Sequence, residues 1–225
     1  MNSNQKIGRI TGALLLFIFI SGVTIFQFLQ GPILFSDNFL TTTSENANQI
    51  IGSIVLGIFS GIASIVIATL LFPIFKKYSI RLGYLYFSFC ILNFITIMID
   101  NVSVISMLEL SRAYVANGSD NSLHSLQTLV YKKHFWTHYF YLLISCFPVF
   151  VLYYTLFLSK LVPRIISIVG IIAVFLMFIE ELFSIFGHSI SMNMLLPIGL
   201  IQLMLPLWLI FRGLNSPMVE TKIKQ

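Results

Sequence analysis

The sequence predicts an all-α fold, a six-helix transmembrane bundle, and two observations carry this prediction. Hydrophobic residues make up 57% of the 225 residues, and charged residues only 9%. The apolar residues form six stretches of about 20 residues or more, the length that an α-helix needs to cross a bilayer. Transmembrane β-strands would instead alternate apolar and polar residues over short segments, and the sequence lacks this pattern. We therefore expect one integral membrane domain over residues 1–225.

The six spans follow one another with polar connections between them. An apolar helix satisfies its own backbone hydrogen bonds, which open structures in hydrocarbon cannot do. The expected bounds of spans 1 to 6 are Ile7–Leu29, Ile50–Phe75, Leu82–Leu108, Phe135–Leu158, Val162–Gly187 and Ile190–Phe211.

The first two spans each carry a distinguishing feature. Span 1 follows Lys6 and Arg9 and could be read as a signal peptide, but its apolar stretch continues to Leu29, beyond a typical signal-peptide core. Small side chains let a second helix approach closely, so span 2 is expected to pack centrally within the chain, in preference to forming a homodimer seam. Span 2 carries these small residues at four-residue spacing: Ser53, Gly57 and Gly61.

The later part of the chain is marked by prolines within its spans and by regularly spaced apolar residues in one loop. Bends are expected at three prolines that each remove a backbone donor: Pro148 in span 4, and Pro197 and Pro206 in span 6. Pro163 lies at the start of span 5, where its missing N–H is harmless. Helical spacing of apolar residues predicts a short amphipathic helix in the outer loop between spans 3 and 4. Its residues are Leu123, Leu126, Leu129 and Val130.

Lysine and arginine lie mostly at one end of the predicted bundle. With the N-terminus in the cytoplasm, the residues on the cytoplasmic face are Lys6, Arg9, Lys76, Lys77, Arg81, Lys160, Arg164, Arg212, Lys222 and Lys224. Only Arg112, Lys132 and Lys133 fall outside. The positive-inside rule therefore predicts that both termini are cytoplasmic. This orientation accounts for the formal charge of +5, which gives no reason to expect a nucleic-acid partner.

Ionisable residues inside the spans concentrate towards the predicted outer face. Asp100 lies on span 3, His138 on span 4, and Glu180 and Glu181 on span 5. Such residues are costly in hydrocarbon, so their positions are the best indication of a functional site. We expect these four residues to line an outward-facing polar cup that binds an ion or a small solute.

Two histidines in this region have the spacing of metal ligands. His134 and His138 lie four residues apart and share one helix face, so two imidazoles can bind one ion. Asp100, Glu180 or Glu181 could complete the site from a neighbouring helix, with a divalent metal as the cofactor. The alternative is an ordinary interfacial belt, since aromatic residues lie beside both histidines. These neighbours are Trp136, Tyr139 and Tyr141.

Several runs of residues resemble a family of bacterial six-helix membrane proteins, the domain of unknown function 4386 family. They are Gly8-Arg9-Ile10-Thr11-Gly12, the segment from His134 to Tyr154, Ser159-Lys160-Leu161-Val162-Pro163-Arg164, and Gly170. The resemblance covers nearly the whole chain. It implies six helices and a location in the bacterial cytoplasmic (inner) membrane, and it brings no reaction, ligand or catalytic residue.

Three functions remain open at this point. The first is binding of an ion or small solute in the polar cup. The second is an accessory or structural subunit that contacts a partner membrane protein through its loops. The third is a metal-dependent intramembrane enzyme, with His134, His138 and Asp100 as ligands and Glu180 or Glu181 as general base. The sequence contains no recognisable nucleophile motif, complete metal motif or phosphate loop, so binding and accessory roles rank above catalysis.

Overall fold

The computed structural model describes three stretches of the chain, and within them the chain is helical and contains no β-strand. These stretches are residues 3–117, 121–188 and 191–215. Ile190, Lys222 and Lys224, which the sequence prediction used for the start of span 6 and for the cytoplasmic terminus, lie outside the described residues.

The helices confirm the predicted all-α fold. In chain order they are α1 (Ser3–Val23), a π-helical segment (Thr24–Gln30), α2 (Gly31–Leu34), α3 (Phe39–Glu45), α4 (Ala47–Phe75), α5 (Ile80–Ala116), α6 (Asn121–Ser159), α7 (Arg164–Ile185), a 3₁₀ turn (Met192–Leu195) and α8 (Leu196–Arg212). Within the described ranges, six stretches are long and apolar enough to cross a membrane. They are Ser3–Leu34, Ala47–Phe75, Ile80–Ala116, Leu126–Ser159, Arg164–Ile185 and Asn193–Arg212.

The six long helices close into a ring that follows the order of the chain. Each long helix packs against the next one in sequence, and α8 packs back against α1. The backbone of Gly213 and Leu214 lies against Gln5 and Gly8, so both ends of the described chain meet at one end of the ring. This end, which we call the basic end, carries Lys76 and Lys77 between α4 and α5, and Arg81 in the first turn of α5. Which membrane face it occupies remains a prediction from the charges.

Two apolar clusters fill the interior, with polar residues between them. The larger cluster lies towards the basic end and includes Phe75, Tyr86 and Tyr153. The smaller one lies at the opposite end, where α3 packs on α5, and includes Phe39 and Met107. Along α5, Asp100 lies between residues of the first cluster and residues of the second. The fold therefore places Asp100 at the boundary of two apolar cores.

The small residues of span 2 pack within the chain, as predicted. Gly57 lies against the Asn101 side chain on α5, where an added Cβ would be 3.6 Å from the amide nitrogen. Gly61 lies against the Phe94 ring, where an added Cβ would be 3.1 Å from Cε2. Both glycines therefore let α4 and α5 approach closely, which is how helices associate in lipid.

Helices α5 and α6 are longer than the sequence predicted. Helix α5 continues to Ala116 instead of ending near Leu108, and α6 begins at Asn121. The predicted amphipathic segment is helical, but it is continuous with span 4 and does not form a separate short helix. Leu123 and Val130 pack against the smaller apolar cluster, which holds this part of α6 beside α5.

The end of span 1 also differs from the prediction, because the helix is π-helical over Thr24–Gln30 and then continues as α2 to Leu34. The N–H groups in the π-helical segment reach one residue further back than in an α-helix. A Cβ at Gly31 would overlap the carbonyl oxygen of Phe26, so this position favours glycine. Pro32 has no N–H to offer. Gln49 Nε2 from α4 instead donates to the carbonyl oxygen of Phe28 at 2.9 Å.

Candidate functional site

Helices α5 and α6 bring five polar side chains together, and we call them the Asp–His cluster. Asp100 and Ser103 lie three residues apart on α5, so they share one face of that helix. The other three share the facing side of α6: His134, Thr137 and His138. Direct packing of α5 on α6 places these two faces in contact.

The carboxylate of Asp100 faces both imidazoles at once. Its Oδ1 lies 3.3 Å from His134 Nδ1, and its Oδ2 lies 3.5 Å from His138 Nδ1. One ligand atom from each of the three residues can be chosen so that all three lie within 4.8 Å of one another. The sequence prediction of a shared histidine face with Asp100 nearby thus corresponds to three converging donors.

Two hydroxyl groups hold this arrangement in place. Ser103 Oγ donates to the backbone oxygen of Asp100 at 2.6 Å and lies 2.9 Å from His134 Nδ1. The Thr137 hydroxyl lies 2.9 Å from Asp100 Oδ1 and 2.8 Å from Ser103 Oγ. Because groups that hydrogen-bond a ligand residue fix its orientation, these hydroxyls set the direction of the carboxylate and of one imidazole.

The cluster is largely buried, and aromatic rings cover it. Asp100 is 8% exposed and His134 2% exposed, while the His138 side chain is 21% exposed. The ring of Phe26, from the π-helical segment, stacks on His138 with centroids 6.1 Å apart. The ring of Phe35 lies 6.3 Å from that of His134. The imidazoles therefore face the interior, whereas Trp136 on the same helix is exposed, as an interfacial belt residue would be.

The two glutamates form a separate group on α7, which we call the glutamate pair. Glu180 and Glu181 are adjacent in the chain and both are buried. Ser184 Oγ donates to Glu180 Oε1 at 3.0 Å. Among the described residues, no hydrogen bond or ion pair joins this pair to the Asp–His cluster. Tyr141 lies within electrostatic range of both Asp100 and Glu181.

The Asp–His cluster and the glutamate pair both lie far along their helices from the basic end. At about 1.5 Å per residue, Asp100 lies about 29 Å along α5 from Arg81, and Glu180 about 24 Å along α7 from Arg164. The hydrocarbon core is about 30 Å thick. If Arg81 and Arg164 mark one boundary of this core, the Asp–His cluster lies near the other boundary and the glutamate pair slightly deeper.

Sequence reasoning missed several side chains of this region. Ser103 and Thr137 carried a usable signal, because they lie on the same helix faces as Asp100 and His134. Phe26 carried none, since a regular α-helix through Leu29 would not have placed it on His138. That contact depends on the π-helical segment and on the hydrogen bond that Gln49 supplies from another helix.

A closed ring of six apolar helices with buried carboxylate and imidazole groups defines a multipass membrane protein with a polar site between its helices. The chain belongs to the family described as Domain of unknown function (DUF4386), which matches residues 10–213. This match confirms the resemblance noted from the sequence. No curated protein and no solved structure matches the chain.

Residues that carried the resemblance have packing roles in the fold. Gly12 lets α1 approach α8 so closely that an added Cβ would be 2.8 Å from the backbone oxygen of Pro206. Gly170 on α7 receives the face of the Tyr153 ring from α6, and an added Cβ would overlap that ring. These glycines thus hold neighbouring helices of the ring together.

Proposed function

We propose that this protein is an ion-binding membrane protein whose Asp–His cluster binds one divalent transition-metal ion. Asp100, His134 and His138 are the ligands. The observation that carries the proposal is the convergence of a carboxylate and two Nδ1 atoms from two helices within a buried region. Each residue type alone has ordinary structural explanations, and their convergence is what favours a metal.

The donor set fits zinc or a similar ion. Two imidazoles and one carboxylate occur in zinc sites that keep a fourth position for water or another ligand. Zinc bonds of about 2.0–2.1 Å in a tetrahedron place neighbouring ligand atoms about 3.3–3.4 Å apart. One ligand atom from each of the three residues can be chosen so that all lie within 4.8 Å of one another, and a small rotation of the side chains would bring them to this separation.

Charge also supports a bound cation. Among the described residues, no lysine or arginine forms an ion pair with Asp100, whose only ionic partners are the two histidines. A buried carboxylate needs a compensating positive charge. A metal ion would supply it and leave both imidazoles neutral, the form in which histidine binds metals.

The geometry supports ion binding over catalysis with a glutamate base. Glu180 and Glu181 were the candidate bases, but they make no hydrogen bond with the Asp–His cluster among the described residues. A general base must reach its proton directly or through one water. Binding is therefore the function that the contacts support best.

The first prediction concerns metal content. We expect the purified full-length chain, loaded with Zn²⁺ and freed of excess metal, to retain one equivalent by elemental mass spectrometry. The Asp100→Asn variant and the His134→Ala/His138→Ala double variant should lose it, because each removes ligand charge or ligand nitrogens. His188→Ala is the matched control, since His188 is exposed at the end of α7 and should leave the metal content unchanged.

Two results would contradict this proposal. One is a wild-type chain that retains no Zn²⁺, Mn²⁺, Fe²⁺, Co²⁺, Ni²⁺ or Cu²⁺. The other is equal retention by wild type and the correctly folded Asp100→Asn variant. If the double variant does not fold, His138→Gln provides the test, because His138 is the more exposed of the two ligands and tolerates change more readily.

A further inference from the structure

We propose that the glutamate pair is a second binding site, separate from the Asp–His cluster, which holds one exchangeable proton inside the membrane. This inference does not depend on metal binding at the other cluster. It rests on the burial of two adjacent carboxyl groups, on their surroundings, and on one oxygen atom that has no partner.

The first observation is that the structure, over the residues it describes, shows no positive group in an ion pair with the glutamates. Glu180 and Glu181 are 7% and 1% exposed, and neither forms an ion pair with a described residue. From α6, the ionisable groups that approach the pair are Tyr139, Tyr141 and Cys146. Helix α8 carries only one ionisable side chain, Arg212, which lies at its far end.

The second observation is that two carboxyl groups from adjacent residues are buried in the same part of α7. Two carboxylates that share a buried site cannot both be ionised at ordinary cost, because like charges repel strongly where water is excluded. One proton held between them removes the repulsion and provides a hydrogen-bond donor. The Ser184 hydroxyl already donates to Glu180 Oε1, which favours Glu180 as the partner that keeps its charge.

The third observation distinguishes Glu181 from its neighbour. Its Oε2 atom is buried and has no hydrogen-bond partner among the described residues. An ionised carboxylate with such an unpartnered oxygen would be far costlier than a neutral carboxyl group. The geometry therefore makes Glu181 the residue that carries the proton.

The donor set favours a proton over a metal cation. Hard cations such as Mg²⁺ and Ca²⁺ take six or more oxygen ligands. Besides its own carboxyl oxygens, the described surroundings of the pair offer the neutral hydroxyl groups of Ser184, Tyr139 and Tyr141, and no histidine is among the groups that approach it. An intramembrane carboxyl group of this kind is typical of a proton site.

The test uses a hydrophobic carbodiimide, which reacts with protonated carboxyl groups in apolar surroundings. We expect the full-length chain in detergent at neutral pH to take up one carbodiimide, mapped by peptide mass spectrometry to Glu181. Labelling should fall as the pH rises, because the reactive protonated form is lost. The Glu180→Gln/Glu181→Gln double variant should lose the label.

The matched control is Glu109→Gln, which removes an exposed glutamate from α5 and should leave the label unchanged. The proposal is overturned if the wild-type chain takes up no label between about pH 5 and 8, where a shared carboxyl proton would titrate. It is also overturned if label persists in the double variant. If Na⁺ but not choline protects Glu181 from labelling at constant pH, the pair binds Na⁺, and the proposal of a proton site is overturned. If the double variant does not fold, peptide mapping of the wild-type chain still decides the question.

Discussion

At the scale of single residues, the geometry of the Asp–His cluster depends on hydrogen bonds that fix the orientation of its side chains. The Ser103 hydroxyl donates to the backbone oxygen of Asp100, and its oxygen lies 2.9 Å from His134 Nδ1. The Thr137 hydroxyl donates to Asp100 Oδ1, the same oxygen that lies near His134 Nδ1. The positions of Asp100 and His134 are therefore set by neighbours that are not themselves proposed ligands.

Removal of the Thr137 hydroxyl should weaken metal binding without destroying the site. We expect Thr137→Val to lower the affinity for Zn²⁺ about 10- to 100-fold, as loss of a group that orients a ligand residue commonly does. Competition with a fluorescent chelator measures this affinity. Thr96→Val is the control, because the Thr96 hydroxyl donates only to the backbone oxygen of Asn93 in its own helix. Equal affinities in the two variants would show that Thr137 does not orient Asp100.

At the scale of the elements, the π-helical segment connects span 1 to the site. It places Phe26 over His138 and brings Gln30 into a hydrogen bond with Ser53 on α4, at 2.9 Å. An extra residue in a helical turn leaves backbone groups poorly matched, so such segments persist only where tertiary contacts support them. The contacts that Gln30 and Gln49 make with α4 and with the segment itself are this support.

A methyl group at Gly31 should disturb this segment. We expect Gly31→Ala to lower the free energy of unfolding by about 1–3 kcal/mol, the usual cost of forcing extra volume into a packed position. The reason is the overlap of the new Cβ with the Phe26 carbonyl oxygen. Thermal denaturation in detergent measures the change. Gly22→Ala is the matched control, because no atom lies within 4 Å of its added Cβ, and a destabilisation equal to that of Gly31→Ala would contradict the argument.

The sequence predicted those features that depend only on the periodicity of a single helix. Six apolar spans, the close packing of Gly57 and Gly61, and the common face of His134 and His138 all follow from helical periodicity. The π-helical segment does not, because it needs Gln49 from the next span. The continuous α6 was missed for a similar reason, since Leu123 and Val130 are ordered by apolar residues from other elements.

The glutamate pair shows where prediction from residue types stops. The sequence grouped Glu180 and Glu181 with Asp100 and His138 in one polar cup. The structure confirms that the glutamates are buried, yet within the described residues it gives them separate hydrogen bonds. Depth along a helix can be counted from a sequence, but which neighbouring face a side chain meets depends on how two helices are rotated against each other.

At the scale of the whole molecule, the ring of helices has two unlike ends. The basic end joins both ends of the described chain, whereas α3 and the extended parts of α5 and α6 cover the other end. The Asp–His cluster lies towards the covered end. The predicted orientation would therefore place the proposed metal site near the outer face of the membrane.

Cysteine labelling tests this orientation. In a background without Cys90 and Cys146, we expect a cysteine introduced as Glu109→Cys to react with an impermeant maleimide on intact cells. One introduced as Lys77→Cys should react only after the membrane is permeabilised. Both positions are exposed, so access across the bilayer decides the outcome. The reverse pattern would mean that the basic end faces outwards.

Ring closure through α1 and α8 also has a consequence for biosynthesis. A ribosome delivers α1 first and α8 last, so the face of α1 around Gly12 must wait for its partner until nearly the whole chain has been made. The Asp–His cluster joins two consecutive helices and can form as soon as α6 is inserted. Nascent chains arrested before α8 would thus contain all three proposed metal ligands while the bundle is still open to lipid on one side.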